Sequence, residues 1–282
     1  MNIQTVGVVG AGTMGNGIAQ VFASRGFGVI MQDLSQAALD RALGSIGSSL
    51  DRLIKKEVMT PEAKAAALAK ISITTQVTDL QPADLVIEAA TENEAIKIKI
   101  LQGVEAVVRA DTLIATNTSS LSITKLAAAT QRPDRFLGMH FFNPVPLMSL
   151  VEIIRGLQTS DATVQAITEL AQALGKTPIT VTNRAGFVVN RLLCPMINEA
   201  IFALSEGVAS AEAIDEGMKL GCNHPIGPLA LADMIGLDVL LAIMEVLYDS
   251  FQDSKYRAAP LLKEMVDAGY LGRKTGRGFY RY

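Results

Sequence analysis

His140 stands in Gly138-Met139-His140-Phe141-Phe142-Asn143-Pro144 and is one of only two histidines in the 282-residue chain. Glu152 interrupts a later apolar run, Leu150-Val151-Glu152-Ile153-Ile154. A carboxylate inside such a run is costly unless something pairs with it. The stretch between carries Pro144 and Pro146 and reads as a loop. If the two segments pair antiparallel about Pro146, His140 and Glu152 face each other, because each lies six positions from it. A carboxylate beside an imidazole fixes its tautomer and stabilises the imidazolium, which makes a base able to take a proton from a hydroxyl. A core histidine satisfied by a buried glutamate fits the same residues equally well.

A second constellation is Gly10-Ala11-Gly12-Thr13-Met14-Gly15, which fits G-x-G-x-x-G between an apolar strand and a helix. Gly10 permits a tight turn, Gly12 lets the backbone approach a pyrophosphate, and Gly15 lets the helix sit close to the strand. The unpaired N–H groups of the helix start suit phosphate. Asp33 ends the next strand, 23 positions after Gly10. A carboxylate there accepts from both ribose hydroxyls and repels a 2′-phosphate, so NAD is expected in preference to NADP. With a nicotinamide at hand, the His140–Glu152 pair suits oxidation of an alcohol: the base takes the hydroxyl proton while hydride leaves the same carbon.

Further polar residues close strand-like runs. Thr116-Asn117-Thr118-Ser119-Ser120 ends one, with Ser120 or Ser122 available to cap the next helix. Thr91-Glu92-Asn93-Glu94 ends another; Thr91 and Glu94 have capping-box spacing, which leaves Glu92 and Asn93 to face a ligand.

The elements that must position these groups alternate in the first half of the chain. Val6-Val9, Gly28-Asp33, Ile71-Thr74, Leu85-Glu88 and Leu113-Thr116 read as strands. Met14 to Arg25, about Ser35 to Glu57, and the stretch after Pro61 read as helices. Such alternation, with continuous apolar strands, predicts a parallel sheet covered on both faces. After Ile179-Thr182 the pattern turns helical. The fold expected is α/β: a Rossmann-like doubly wound domain over 1–182, then an all-α domain over 183–282. Within the latter, Gly186 to Glu206 is predicted to be one helix with Phe187, Asn190, Cys194 and Ile197 on a face and a kink from Pro195.

Hydrophobic residues are 49% and charged residues 19%, enough apolar surface to bury a sizeable core. A net charge of −3 argues against nucleic acid as a partner. Cys194 and Cys222 form no disulfide framework and no metal-ligand spacing. The chain enters a strand pattern directly after Met1-Asn2-Ile3-Gln4 with no basic leader, and Leu237 to Tyr248 is too short and too charged to span a bilayer. A cytoplasmic protein without membrane association is expected, with no metal.

Together, Val8-Gly15, Glu88-Ala89-Ala90-Thr91-Glu92, Asn117-Ser120, His140-Pro144, Ala185-Gly186-Phe187-Val188-Val189-Asn190-Arg191, Gly227-Pro228-Leu229 and Gly272-Tyr280 resemble the L-3-hydroxyacyl-CoA dehydrogenase family. They are most like the short single-subunit 3-hydroxybutyryl-CoA dehydrogenases, over nearly the whole chain. The resemblance implies NAD-dependent interconversion of a 3-hydroxyacyl-CoA and a 3-oxoacyl-CoA, and a homodimer formed through the helical domain. It implies His140 as base with Glu152 orienting it, and Ser119 and Asn190 on the substrate's reacting oxygen. Gly10, Gly12, Gly15, Asp33, Ala90, Glu92, Lys97, Ser119 and Asn143 would contact the cofactor, with Lys274 close to such a contact. His224, in Cys222-Asn223-His224-Pro225, departs from the pattern and reads as a loop residue. Arg52 and Lys56, four apart on one helix face beside Lys55, could hold the phosphates of CoA, or could be a solvated face flanked by Asp51 and Glu57.

Two rivals stand beside this reading. One is a related dehydrogenase acting on a free hydroxy acid or sugar acid, which would lack CoA-binding groups. The other is a non-enzymatic NAD-binding protein on the same fold, which would have no need of Ser119, His140, Glu152 and Asn190 together.

Overall fold

The computed structural model describes residues 3–282; Met1 and Asn2, part of the start read as leaderless, lie outside them. The chain divides into two compact units, the first ending at Arg184 and the second running from Ala185 to Tyr282.

The first unit is built on eight strands: β1 (Thr5–Val9), β2 (Gly28–Gln32), β3 (Ile71–Thr74), β4 (Leu85–Glu88), β5 (Leu113–Thr116), β6 (Phe136–Phe141), β7 (Leu150–Arg155) and β8 (Thr177–Thr182). They form one sheet in the order β3-β2-β1-β4-β5-β6-β7-β8. Every pairing is parallel except β6 with β7. Helices cover the sheet, so its central strands are apolar throughout: Val6, Val8, Leu85, Val86, Ile87, Leu113 and Ile114 are all buried. The chain winds outward from β1 to β3, then returns to the other side of β1 as β4. A crevice opens beyond the carboxyl ends of the strands at that reversal.

The helices of this unit are α1 (Thr13–Ser24), α2 (Gln36–Lys55), α3 (Pro61–Leu68), α4 (Glu94–Glu105), α5 (Ile123–Ala128) and α6 (Asp161–Ala173). Ser35 caps α2 by accepting from the Ala38 N–H, and Thr60 caps α3, with Pro61 in the first turn where its missing N–H costs nothing. Helix α2 ends at Lys55, two residues short of the expected Glu57, which itself takes a left-handed φ of 59°. Ser122, one of two candidates, caps α5.

The second unit holds α7 (Val189–Ser205), α8 (Ala211–Cys222), α9 (Pro228–Ile235), α10 (Leu237–Phe251) and α11 (Pro260–Asp267). Its core gathers Cys194, Ile197, Ile201, Leu229, Leu240, Met244, Leu247 and Leu262. Each Leu, Ile or Met among them stabilises by roughly 1.5–3 kcal/mol relative to exposure. Helix α7 starts three residues later than expected. Gly186 and Phe187 both have positive φ, 75° and 49°, which a helix cannot contain. Pro195 lies inside α7. Buried Asp215 accepts from the N–H groups of Leu229 and Ala230 at the start of α9, and buried Asp233 accepts from those of Phe279 and Tyr280. Asp215 also accepts from the Tyr280 hydroxyl at 2.8 Å, so both carboxylates hold the C-terminal tail, whose motif alone showed no structural role. Asn223 ends α8 in the left-handed region and His224 follows in the loop, as expected. Among the described residues, no helix is long and apolar enough to cross a membrane.

Candidate active site

The glycine turn leaves β1 at Gly10, whose φ is 103°. A side chain there would run into the backbone of Ala89 and Ala90, so the turn requires glycine both for its conformation and for the approach of the β4 loop. A Cβ at Gly15 would collide with the Gly10 carbonyl, whereas one at Gly12 would meet only open space. The backbone at Gly12 is thus bare on a side where a phosphate could approach, at the N-terminus of α1. Asp33, just past β2, is already oriented: Oδ2 accepts from the Ala11 N–H at 2.9 Å and Oδ1 from the Ser35 N–H at 3.0 Å. A cavity of about 360 Å³ opens beside it, lined by Val9, Gly10, Asp33, Val77, Ile96 and Ile100 among others. Apolar walls with one carboxylate at the rim suit a nucleoside. These residues fit a dinucleotide. Val77, Ile96 and Ile100 escaped the sequence reading, since they come from segments with no motif.

The loops after β4 and β5 are joined in two layers. On the surface, Glu92 accepts from the Thr118 hydroxyl at 2.7 Å, the Ser119 N–H at 2.7 Å and the Ser119 hydroxyl at 3.0 Å. Beneath, Lys97 and Glu88 are both fully buried and form an ion pair at 2.5 Å. Glu88 also accepts from the Thr116 hydroxyl at 2.7 Å and the Ala90 N–H at 2.8 Å. Lys97 was expected to touch cofactor, but it has no accessible surface and supports the loops from below. Its helix shows why: Lys97, Leu101 and Val104 form the buried stripe of α4. Asn93 is the cap of α4, accepting from the Ile96 N–H, and the Thr91 hydroxyl accepts from the Asn93 N–H. The expected Thr91–Glu94 box is therefore displaced; Asn93 is occupied as a cap, and Glu92 is engaged with Ser119.

The β6–β7 hairpin pairs His140 directly with Glu152. Nδ1 of the ring lies 2.7 Å from a Glu152 carboxylate oxygen. Glu152 is fully buried and His140 is 7% exposed. The Phe142 ring packs against the imidazole at 4.5 Å between centroids. Because β6 runs parallel to β5, His140 emerges at the same end of the sheet as the Ser119 loop. Asn117 ties the two together, its side-chain oxygen accepting from the Phe141 N–H at 2.9 Å. Asn143 lies exposed in the loop that follows.

A family profile described as the NAD binding domain of 3-hydroxyacyl-CoA dehydrogenase matches residues 5–184, and the profile of that enzyme's C-terminal domain matches residues 186–282. The chain belongs to the 3-hydroxyacyl-CoA dehydrogenase family. Its first unit is the family's NAD-binding domain. A 3-hydroxybutyryl-CoA dehydrogenase of Bradyrhizobium diazoefficiens is 54% identical over 280 residues, 99% of this chain and 96% of the relative. One from Clostridioides difficile is 52% identical over 275 residues, 98% of each chain. The crystal structure of an (S)-3-hydroxybutyryl-CoA dehydrogenase from Ralstonia eutropha superposes with a TM-score of 0.98 at 65% identity, covering 100% of this chain and 99% of that one.

Other residues that the family resemblance singled out are placed as follows. Asn190 is half-buried in the first turn of α7. Neighbouring Arg191 stacks its guanidinium on the Phe251 ring at 3.8 Å. Lys274 is held by Asp238, with 2.7 Å to one carboxylate oxygen. Arg52 and Lys56 are exposed at the end of α2. Asp51, expected to flank them, turns instead to Lys64 at 2.6 Å. Among the described residues Arg52, Lys55 and Lys56 form no ion pair, and no cluster of His, Cys, Asp or Glu could hold a metal.

Proposed function

We propose that this protein interconverts (S)-3-hydroxybutyryl-CoA and acetoacetyl-CoA, with His140 as the acid–base residue and Glu152 holding it. The observation that carries this is the buried 2.7 Å contact between the His140 ring and the Glu152 carboxylate, at the sheet end where the dinucleotide turn lies. In the oxidative direction His140 takes the proton of the 3-hydroxyl through Nε2, since Nδ1 faces Glu152. The charge that develops on the ring is balanced by the adjacent carboxylate. When bound, NAD would supply the acceptor for the hydride that leaves the same carbon, while the hydroxyl proton stays on His140. In the reductive direction the imidazolium returns its proton to the oxygen.

Ser119 is the group we assign to the substrate oxygen from the first unit, its hydroxyl aimed by Glu92. Asn190, in the second unit, is assigned to the substrate on the family resemblance. Gly10, Gly12, Gly15, Asp33, Ala90, Glu92 and Asn143 are assigned to the cofactor, with Lys97 and Lys274 acting near it. Arg52 and Lys56 are assigned to CoA phosphates, which their unpaired charges support. We further infer a homodimer through the second unit and a cytoplasmic location.

The deciding experiment follows NADH consumption with acetoacetyl-CoA, longer 3-oxoacyl-CoAs and free acetoacetate. The expected result is the highest kcat/KM with acetoacetyl-CoA and little turnover of the free acid. Preference for the free acid would move the protein to a hydroxy-acid dehydrogenase, and intact NADH binding without turnover to a binding protein.

A further inference from the structure

Lys176 sits between α6 and β8, outside every motif of the chain. Its ammonium donates to two backbone carbonyls, Val145 at 2.6 Å and Met148 at 2.7 Å. Both belong to the loop joining β6 to β7. That loop already turns on itself, with the N–H groups of Leu147 and Met148 donating to the Pro144 carbonyl. At its far end the Thr177 N–H donates to the Ser149 carbonyl at 2.8 Å. Among the described residues no carboxylate pairs with Lys176. Burial, with Arg25 as a second contributor, holds the ammonium below its ordinary pKa. The loop backbone is thus what engages this half-buried charge.

The opposite side of the loop is fixed by packing. Val145 is 2% exposed, while Leu147 and Met148 beside it are 68% and 41% exposed. Val145 lies against Gly17 of α1, where a Cβ would come within 2.9 Å of it. Gly17 belongs to the helix that opens at the glycine turn. The loop is therefore gripped between the dinucleotide helix and Lys176. Asn143 begins it, and His140 lies three positions before Asn143 on β6.

We propose that Lys176 is a positioning residue for the reaction. It sets the 143–148 loop against α1 and so places Asn143 for the cofactor. This rests on the reading of Asn143 as a cofactor contact. An ammonium is suited to the task because its donors can reach two divergent carbonyls at once, whereas a neutral side chain of the same length holds neither.

The test measures NADH affinity by fluorescence titration, with kcat and KM for acetoacetyl-CoA, in the full-length protein. Lys176→Met is expected to weaken NADH binding about tenfold and to lower the melting temperature by a few degrees without unfolding the protein, because the same charge-assisted hydrogen bonds also stabilise the loop in the free enzyme. Lys176→Arg should restore most of the affinity. Asn143→Ala should weaken NADH binding as well, and the double variant Asn143→Ala/Lys176→Met should be no weaker than the weaker single variant by more than about twofold, since both act through one contact. Should Lys176→Met not fold, Val145→Ala, which loosens the same loop on Gly17, should show the same loss and the same non-additivity. NADH affinity within twofold of wild type in folded Lys176→Met, while Asn143→Ala is impaired, overturns the proposal alone. Multiplicative losses in the double variant overturn it too. Unchanged affinity in Asn143→Ala overturns instead the reading of Asn143, and with it the route assigned to Lys176.

Discussion

Replacing Glu152 with Gln removes a charge and leaves the shape of the side chain in place. The carboxylate oxygen lies 2.7 Å from Nδ1 of His140. The centres of a carboxylate and an imidazolium in such contact are about 4 Å apart, and at an effective dielectric constant of about 20 their attraction is about 4 kcal/mol. A neutral amide retains a hydrogen bond worth about 1 kcal/mol. The difference, about 3 kcal/mol, applies in full only when the ring is fully charged, so the transition state loses somewhat less. The expected fall in kcat for oxidation of the 3-hydroxyacyl-CoA, the direction in which the ring gains its charge, is about 30- to 100-fold, since each 1.36 kcal/mol is about a factor of ten. Steady-state NADH formation with (S)-3-hydroxybutyryl-CoA measures it. Glu152 is fully buried, and a neutral amide costs less to bury than a carboxylate, so thermal melting should report a folded protein. NADH affinity should hold, which separates a lost base from a lost cofactor site. A folded Glu152→Gln variant with kcat within threefold of wild type would refute the acid–base reasoning.

Asp33→Ala should raise KM for NADH by about tenfold or more and narrow the preference over NADPH, because it removes both the ribose acceptor and the clamp on the Ala11 N–H; comparable wild-type kcat/KM with the two cofactors would refute the assignment. Arg52→Ala/Lys56→Ala should raise KM for acetoacetyl-CoA more than KM for NADH, and the wild-type KM should climb with salt; an unchanged KM returns these residues to a solvated face. Asn190→Ala should cut kcat/KM for the CoA ester while leaving NADH affinity and melting temperature near wild type; equal loss of stability would make it a structural amide. Burial alone would raise the Asp84 carboxyl, but the Gln4 and Thr5 N–H groups and Arg109 outweigh it and hold it below its ordinary value. A lowered folded value means stability that is present above about pH 4 and lost as pH falls through the folded value. Asp84→Asn should therefore flatten the acid limb of a melting-temperature profile; an unaltered limb would show that other carboxylates control it.

Much of this site was readable along the chain because its constraints are local. A turn that needs positive φ at Gly10, bare backbone at Gly12 and a close helix at Gly15 writes itself into six consecutive residues. The His140–Glu152 pairing was readable for a similar reason, since two apolar strands flank one proline loop and few registers are open to them. Other features carried a local signal that went unused. Lys97 sits at the spacing of Leu101 and Val104, so the buried face of α4 could have been inferred, and Glu88 ends an apolar run much as Glu152 interrupts one.

Composition and pattern alone made legible the α/β unit followed by a helical one, the glycine turn, the acidic residue after β2 and the candidate histidine–glutamate pairing, because each rests on local periodicity or on segments joined by a single short loop. What the fold alone decided are pairings across long sequence separations. Glu92 reaches Ser119 across 27 positions, Asn117 reaches the backbone of Phe141 across 24, and Lys176 reaches Val145 across 31. Such partners become neighbours only once the strand order is set, and a polar side chain in a loop bears no local mark of which distant backbone group it will meet.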